Sequence, residues 1–380
     1  MEFSLDNEYA LVRDMCRRFA QQEVKPIAAE LDEKERFPEE TIPKLAKAGL
    51  LGIPFPKEYG GQGGDDLAYM ICMEEIAKAC LTTSVVLGAH TSLCAYPIYN
   101  WGTEEQKQKF LVPLAKGEKL GAFGLTEAGA GSDAALQQTK AVLEGDHYIL
   151  NGNKIFITSA GYADLYIIMC MTDKSKGTRG ISALIVEKGT PGFTFGAKEK
   201  KMGIKGSCTA ELIFRDCPVP KENLLGAEGQ GFKIAMHTLD GGRIGVGAQA
   251  TGLAQGAIDE TVKYTKERKQ FGRRISQFQN TQFELASMQA AVEACRTLTY
   301  KAACEKRDGR PYGHLAAMVK LFGSEVANDV TRRCLQLFGG YGYTREYPIE
   351  RMMRDAKILE IYEGTSEIQK MVIAGWMGVK

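Results

Sequence analysis

The sequence predicts an α+β chain that is mostly helical: an N-terminal helical domain, a middle β-barrel-like or β-sandwich domain, and a C-terminal four-helix bundle. Three observations carry this. Apolar residues recur at spacings of three and four up to Leu120. From Leu120 to about Cys217, short alternating or β-rich runs are separated by turn residues. From Gly231 helical periodicity returns and holds nearly to the end. A length of 380 residues suits two or three domains, and the changes of texture put the limits at 1–119, 120–228 and 229–380.

In the first third, Asp6 to Leu31 sets Leu11, Met15, Phe19 and Val24 on a helical stripe between charges. Pro38 opens a second helix that Gly49 ends. Asp66 to Cys80 continues the pattern, and Thr103 with Gln106 has capping-box spacing ahead of Phe110 and Leu114. In the middle third, Thr139 to Leu143, a Glu144-Gly-Asp turn and His147 to Leu150 read as a hairpin. Lys154 to Thr158, Leu165 to Met171, Ile181 to Val186 and Ala210 to Phe214 read as further strands. In the last third, the Ala and Gly of Gly245 to Lys266 suit close helix packing. Leu285, Met288, Val292, Cys295 and Leu298 share one face of the next helix.

Lys plus Arg total 48 against 47 for Asp plus Glu, a net charge of +1, which argues against a broad nucleic-acid footprint. Even the stretch Ala163 to Cys170 is too short to span a bilayer, and the N-terminus lacks the layout of a secretory signal, so no membrane span is expected. Ten scattered cysteines with no CxxC suggest thiols kept reduced, hence a cytoplasmic protein. The four histidines are far apart, and no metal is expected.

Five stretches could carry chemistry. Phe123 to Asp133 follows a strand with small residues and hydroxyls, which suits a phosphate or the polar edge of a ring, or equally an ordinary tight turn. Phe156 and Thr158 share strand parity, so they could flank a flat heterocycle or simply pack. Lys266 to Arg274 could grip a pyrophosphate through arginine, or be a solvated helix end. The glycine cluster Phe338 to Tyr343 ends a helix at Gln336 with more glycines than a C-cap needs. Finally, Glu363 sits on a turn entering a helix whose Ser366 and Gln369 have capping-box spacing. It could complement the helix dipole or serve as a general base whose proton affinity rises as an apolar substrate expels water.

Each stretch is weak alone, but together and in register they resemble the acyl-CoA dehydrogenases along the whole chain, closest to the bacterial short-chain (butyryl-CoA) group. The matching signatures are Leu125 to Asp133, Glu267 to Gly272, Gln336 to Gly342, Arg354 to Lys357 and Ile361 to Gln369. The resemblance implies noncovalent FAD between the β domain and the C-terminal helices, completed by a neighbouring subunit of a homotetramer. By position, Phe123, Leu125 and Thr126 would lie beside the flavin, Ser132 near the cofactor or CoA phosphates, and Phe156 and Thr158 against the ring system. Arg268, Phe271, Gln279, Gln336, Gly339 and Gly340 resemble the set that holds the partner subunit's FAD, with Thr365 and Glu367 in the remaining cofactor-contacting stretch.

Glu363 matches the family's catalytic base, which takes the α-proton of a thioester while the β-hydrogen leaves as hydride to the flavin. A β-hydride leaves only as the α-carbon becomes electron-rich, so the two events must be geometrically coupled. The thioester oxygen is polarised in the family by the backbone N–H at the base and a ribityl hydroxyl. Some relatives place the base at the position of Gly242, which cannot serve here. Asp240 and Arg243 resemble a CoA-contacting pair, and Gly364 falls in the substrate-contacting turn. Ala128 stands where Pro is frequent and Leu136 where many relatives are small. The implied reaction is butyryl-CoA to trans-2-enoyl-CoA, or crotonyl-CoA reduction in reverse, with electrons exchanged with an electron-transfer flavoprotein, in some relatives within a bifurcating complex. The rival readings are an oxidase of the same fold and a CoA- or flavin-binding protein without turnover.

Overall fold

The computed structural model describes residues 6–379. Helix α1 (Asn7–Phe19) starts where the Asp6 carboxylate accepts hydrogen bonds from the Glu8 and Tyr9 N–H groups. The helix expected to run unbroken to Leu31 instead widens over Ala20–Val24 and tightens over Lys25–Ile27 before α2 (Ala28–Glu33). Pro26 is the reason: it has no N–H to donate, and its ring crowds the preceding turn. The second helix also begins later than Pro38, as α3 (Ile42–Lys47), with Pro43 in its first turn and Gly49 at φ 71° beyond its end. Then follow α4 (Asp66–Ala79), α5 (Leu81–Gly88), α6 (Tyr96–Trp101), α7 (Glu104–Gln106) and α8 (Val112–Lys116). Thr103 and Gln106 close the expected capping box. Helix α4 is buried nearly all round, because it packs against both α1 and the C-terminal helices.

Eight strands form one sheet: β1 (Gly121–Gly124), β2 (Lys140–Glu144), β3 (His147–Thr158), β4 (Leu165–Met171), β5 (Ile181–Glu187), β6 (Phe193–Lys198), β7 (Thr209–Pro220) and β8 (Leu224–Leu225). The order is β6-β7-β3-β2-β4-β5-β8, with β1 parallel to β4. The expected hairpin is present, with Glu144 opposite His147. Strand β4 explains its own unbroken apolar run. Tyr166, Ile168 and Cys170 enter a core made by the sheet itself, while Leu165, Ile167 and Met169 enter a second core against Ile98, Phe110 and Ile234 of the helices.

The last third is built on α9 (Gly231–Glu267), a short hairpin of β9 (Lys269–Gln270) and β10 (Arg273–Arg274), α10 (Gln279–Arg307) and α11 (Gly313–Phe338), with α12 (Ile349–Ala356) and α13 (Ser366–Trp376). Helix α9 packs on α11, α10 and α4, and α13 packs on α11. The glycines of α9 permit this approach. A Cβ on Gly247 would stand 2.0 Å from Val319 Cγ1 of α11, and one on Gly252 would stand 2.1 Å from the Glu74 carbonyl of α4. On α10, Met288, Val292 and Cys295 are buried as the stripe predicts. Helix α11 runs two residues past Gln336, to Phe338, where Gly339 turns to φ 62°.

Candidate active site

The turn between α12 and α13 carries Glu363. Its φ of 53° and the 95° of Gly364 put two successive residues in the left-handed region. For a glutamate that conformation costs roughly 1–3 kcal/mol and persists only where surroundings impose it. They do so here. Arg243 Nε donates to the Glu363 carbonyl at 3.3 Å, and Gln369 Nε2 donates to the carbonyls of Glu363 and Gly364 at 3.2 and 2.9 Å. The capping box expected of Ser366 and Gln369 does not form. Thr365 is the N-cap residue, and the buried Gln369 carboxamide turns back to the carbonyls that the left-handed turn leaves without helical partners. The Glu363 N–H, by contrast, donates to none of the described residues.

The Glu363 carboxyl lies against α9. Its Oε2 is fully covered and has no hydrogen-bond partner. A Cβ on Gly242 would stand 2.0 Å from that oxygen and 2.9 Å from Leu93 Cδ2. Glycine at 242 thus does more than forgo a base: it makes the space that the carboxylate occupies. Burial pushes the Glu363 carboxyl up to about 7, and the cations of Arg243 and Lys320 hold it from rising further. Arg243 is itself 5% exposed, with Nη1 on Asp240 Oδ1 at 2.7 Å. Arg243 thus joins Asp240 to the turn that carries Glu363, and the two expected partners stand together as a pair. Burial raises the Asp240 carboxyl, against the pull of Arg243.

The β-domain candidates gather at the end of β1 and on β3. Phe123 pairs with Ile167, the Thr126 carbonyl accepts from the Ile155 N–H at 2.9 Å, and the Leu125 carbonyl accepts from Lys154 Nζ at 3.1 Å. A register shift between Lys154 and Ile157 coincides with Phe156 at φ 59°, its side chain 60% exposed, while Ile157 between it and Thr158 is buried. Ser132 is exposed on the Gly129–Asp133 loop, as is Leu136 on the following turn.

A third group frames an open recess of about 500 Å³. Arg268, Gln336, Gly339 and Gly340 line it, with Tyr264 and Tyr341 among the others. Arg268 sits over the Tyr341 ring at 5.3 Å, and a Cβ on Gly339 or Gly340 would meet nothing within 4 Å. None of the lining residues comes from β1 or β3, so the recess and the β-domain group stand apart within one chain. Phe271, 94% exposed on the neighbouring hairpin, and Gln279 at the start of α10 lie outside the lining. Thr365 and the exposed Glu367 stay with the Glu363 turn. Among the described residues seven non-glycine residues have positive φ, and three of them are site candidates: Phe156, Phe271 and Glu363. Left-handed backbone at bulky residues is uncommon; at Phe271 the tight β9–β10 turn imposes it.

Sequence models of the acyl-CoA dehydrogenase N-terminal, middle and C-terminal domains match residues 6–118, 122–217 and 229–378. A short-chain specific acyl-CoA dehydrogenase of Clostridium acetobutylicum is 61% identical, with 99% of each chain covered. The chain belongs to the acyl-CoA dehydrogenases. An acryloyl-CoA reductase (NADH) of Anaerotignum propionicum is 51% identical, over 98% of this chain and 95% of that one. Among solved structures, butyryl-CoA dehydrogenase from Megasphaera elsdenii superposes with a TM-score of 0.97 at 52% identity, covering 99% and 100% of the two chains. A chain from structural work on the electron transferring flavoprotein of Acidaminococcus fermentans superposes at 0.98 with 55% identity, covering 99% of each.

Within this acyl-CoA dehydrogenase, sequence reasoning missed two buried lysines. Lys154 ties together the loop that follows β1, donating to Leu125 O, Glu127 Oε1 at 2.7 Å and Gln137 Oε1 at 2.9 Å. Its signal was parity: it shares the inward register of Tyr148 and Leu150. Lys320 had a similar signal, lying on a helical stripe with Ala316, Gly323 and Ala327.

Proposed function

We infer that this chain is an FAD-dependent short-chain acyl-CoA dehydrogenase. It dehydrogenates butyryl-CoA-like thioesters to trans-2-enoyl-CoA, or reduces crotonyl-CoA in reverse, and exchanges electrons with an electron-transfer flavoprotein. The observation that carries the reading is Glu363: a covered, unbonded carboxylate oxygen, on a turn held by two side chains, in space that only a glycine at 242 leaves open. With its proton affinity near neutrality, Oε2 is matched to removing an α-proton and returning it in the reverse direction. The unengaged Glu363 N–H is the donor for the thioester oxygen, where negative charge develops as the proton leaves. Leu93 walls the same space and excludes water from it.

The residues present fit FAD. The glycine cradle at Gly339 and Gly340 opens into the recess beside Arg268 and Gln336, and the exposed Phe156 offers an aromatic face in the other half-site. Phe123, Leu125, Thr126, Ser132, Phe156 and Thr158 would hold the flavin half in one subunit. Arg268, Phe271, Gln279, Gln336, Gly339 and Gly340 would serve the FAD of a neighbour in a homotetramer, while Thr365 and Glu367 border the base turn. Bound FAD supplies the acceptor for the substrate's β-hydrogen. The separation of the two half-sites supports assembly, as do exposed apolar side chains such as Phe283, Phe322 and Met371 on the C-terminal helices. Asp240, Arg243 and Gly364 would border the substrate, and the open loop of Ser132 suits a phosphate of the cofactor or of CoA. Among the described residues no helix is long and apolar enough to cross a membrane, and all ten cysteines are free thiols, which supports a cytoplasmic setting.

The test is an anaerobic titration of the purified flavoprotein with butyryl-CoA, followed by flavin absorbance. Bleaching of the oxidised band in wild type and its absence in Glu363→Gln is the expected result. A protein that takes up no flavin, even on reconstitution, would overturn the reading.

A further inference from the structure

Lys320 is a further ionisable group near Glu363, and the reaction as described leaves it without a task. It lies in α11, is 0% exposed, and its ammonium has no hydrogen-bond partner. Two more buried polar atoms at the base turn lack partners, Glu363 Oε2 and Gln369 Oε1. Helix α11 packs against α9, against α13 and against the Lys357–Glu360 turn, the three elements that carry Arg243, Gln369 and the approach to Glu363. The charges that reach Lys320 are those of Glu363, Arg243, Glu360 and Glu367, in that order. An unbonded buried cation destabilises a fold unless its charge acts on something.

We propose that Lys320 is a positioning residue for Glu363: its buried ammonium keeps the base an ionised carboxylate, aimed into the space beside Gly242, when the chamber is closed by substrate. This rests on Glu363 being the base. Two cations act on Glu363, and Lys320 is the one with no carboxylate on it. From α9 comes Arg243, the stronger of the two, which is itself ion-paired with Asp240 at 2.7 Å. From α4 comes Tyr69, and from the turn itself Tyr362, both kept neutral by burial. Glu360 is paired with Lys357, and Glu367 is exposed. From α11 comes Lys320, whose charge no carboxylate within bonding distance compensates. Substrate closure removes the remaining water and drives Glu363 toward its protonated, inactive form; the ammonium opposes that drift.

The experiment uses the holoenzyme. Lys320→Met removes the charge at similar length, Lys320→Gln repeats the test with a polar side chain should the first fail to fold, and Lys320→Arg restores the charge. Single-turnover bleaching of the flavin by butyryl-CoA is followed against pH. In parallel, infrared titration follows the protonated Glu363 carboxyl without substrate, assigned by its absence in Glu363→Gln. The neutral variants are expected to move the acid limb and the infrared midpoint upward together by about one pH unit. That shift is roughly a tenfold loss of rate near pH 6 and little loss near pH 9. Lys320→Arg should return both toward wild type. An unmoved infrared midpoint, or a rate loss equal at every pH, would overturn the proposal. Wild-type bleaching by Glu363→Gln would instead overturn the base assignment, while the infrared arm would still report whether the ammonium tunes that carboxyl.

Discussion

Two lysines of this chain are equally buried and oppositely treated. Lys154 and Lys320 are each 0% exposed. Under the loop that follows β1, Lys154 donates its three hydrogens to Leu125 O, Glu127 Oε1 and Gln137 Oε1. Glu127 in turn accepts from the Gln138 and Thr139 N–H groups at 2.7 and 3.0 Å, so both charges are answered. Beneath the base turn, Lys320 Nζ, Glu363 Oε2 and Gln369 Oε1 all lack partners. A fully satisfied polar network rigidifies what it joins, whereas unsatisfied charges in low dielectric act strongly on their neighbours. The first region is built to hold a loop still. The second leaves polar capacity open at the carboxylate that we propose as the base.

The largest expected effect breaks the second region. Glu363→Gln should slow flavin reduction by butyryl-CoA by at least about 10³-fold, because an amide cannot accept the α-proton. Its stability should move the other way. Burial raises the Glu363 carboxyl from 4.5 to about 7 in the folded protein. Between those values the folded state holds a proton that the unfolded state has released, so this group makes stability fall as pH rises. In Glu363→Gln that contribution disappears, and melting temperatures followed from about pH 5 to pH 8 should decline less than in wild type. A steeper decline would show that the carboxylate is stabilised by contacts after all.

Lys154→Met tests the first region. It leaves Glu127 buried with its remaining partners but without its counter-charge, a loss of about 3–5 kcal/mol for a broken buried pair. The melting temperature should drop by several degrees, and flavin should be retained less well because Leu125 and Thr126 lose their support. Replacing both partners, Lys154→Met with Glu127→Leu, should recover most of the stability. Failure of the double variant to recover would mean that the pair specifies the loop geometry and not merely its charge balance.

Much of the fold on which this contrast rests was legible in the sequence. The helix–sheet–helix order, the Thr103–Gln106 cap and the motif residues follow from periodicity and from the family signatures. What sequence spacing misplaced has local causes. Pro26 loosens a helix whose stripe continues across it, and the left-handed turn at Glu363 diverts Gln369 from the capping box that its spacing suggests. What spacing did not reveal depends on contacts between distant segments. The clearest is the approach of Gly242 to Glu363, 121 positions further along the chain, which no local pattern encodes. Both lysines left a trace as cations on apolar stripes, but whether each was answered depended on side chains from other elements.

Gly242→Ala sharpens the comparison without altering any charge. The added methyl would stand 2.0 Å from Glu363 Oε2, so the carboxylate must turn away or the helix must shift. A misplacement of that order costs about 10²-fold in rate. Stability should change little, since alanine is the better helix former. Wild-type kinetics would show that the base has room to reorient, and that its aim is not set by the wall of α9.

The smallest effect separates the two lysines most directly. In the folded protein burial brings Lys320 from 10.5 down to about 8. Between those values the unfolded chain binds a proton that the folded chain does not, so this group makes stability rise with pH. Lys320→Met should therefore be at least as stable as wild type near pH 7, where the buried ammonium is a burden, and should lose the gain that wild type shows toward about pH 10. Melting curves at the two pH values measure this. Lys154→Met, tested alongside, should be weaker than wild type at both, because there the fold depends on the charge. If Lys320→Met instead melts well below wild type at pH 7, Lys320 has a structural partner, and the two lysines do the same work.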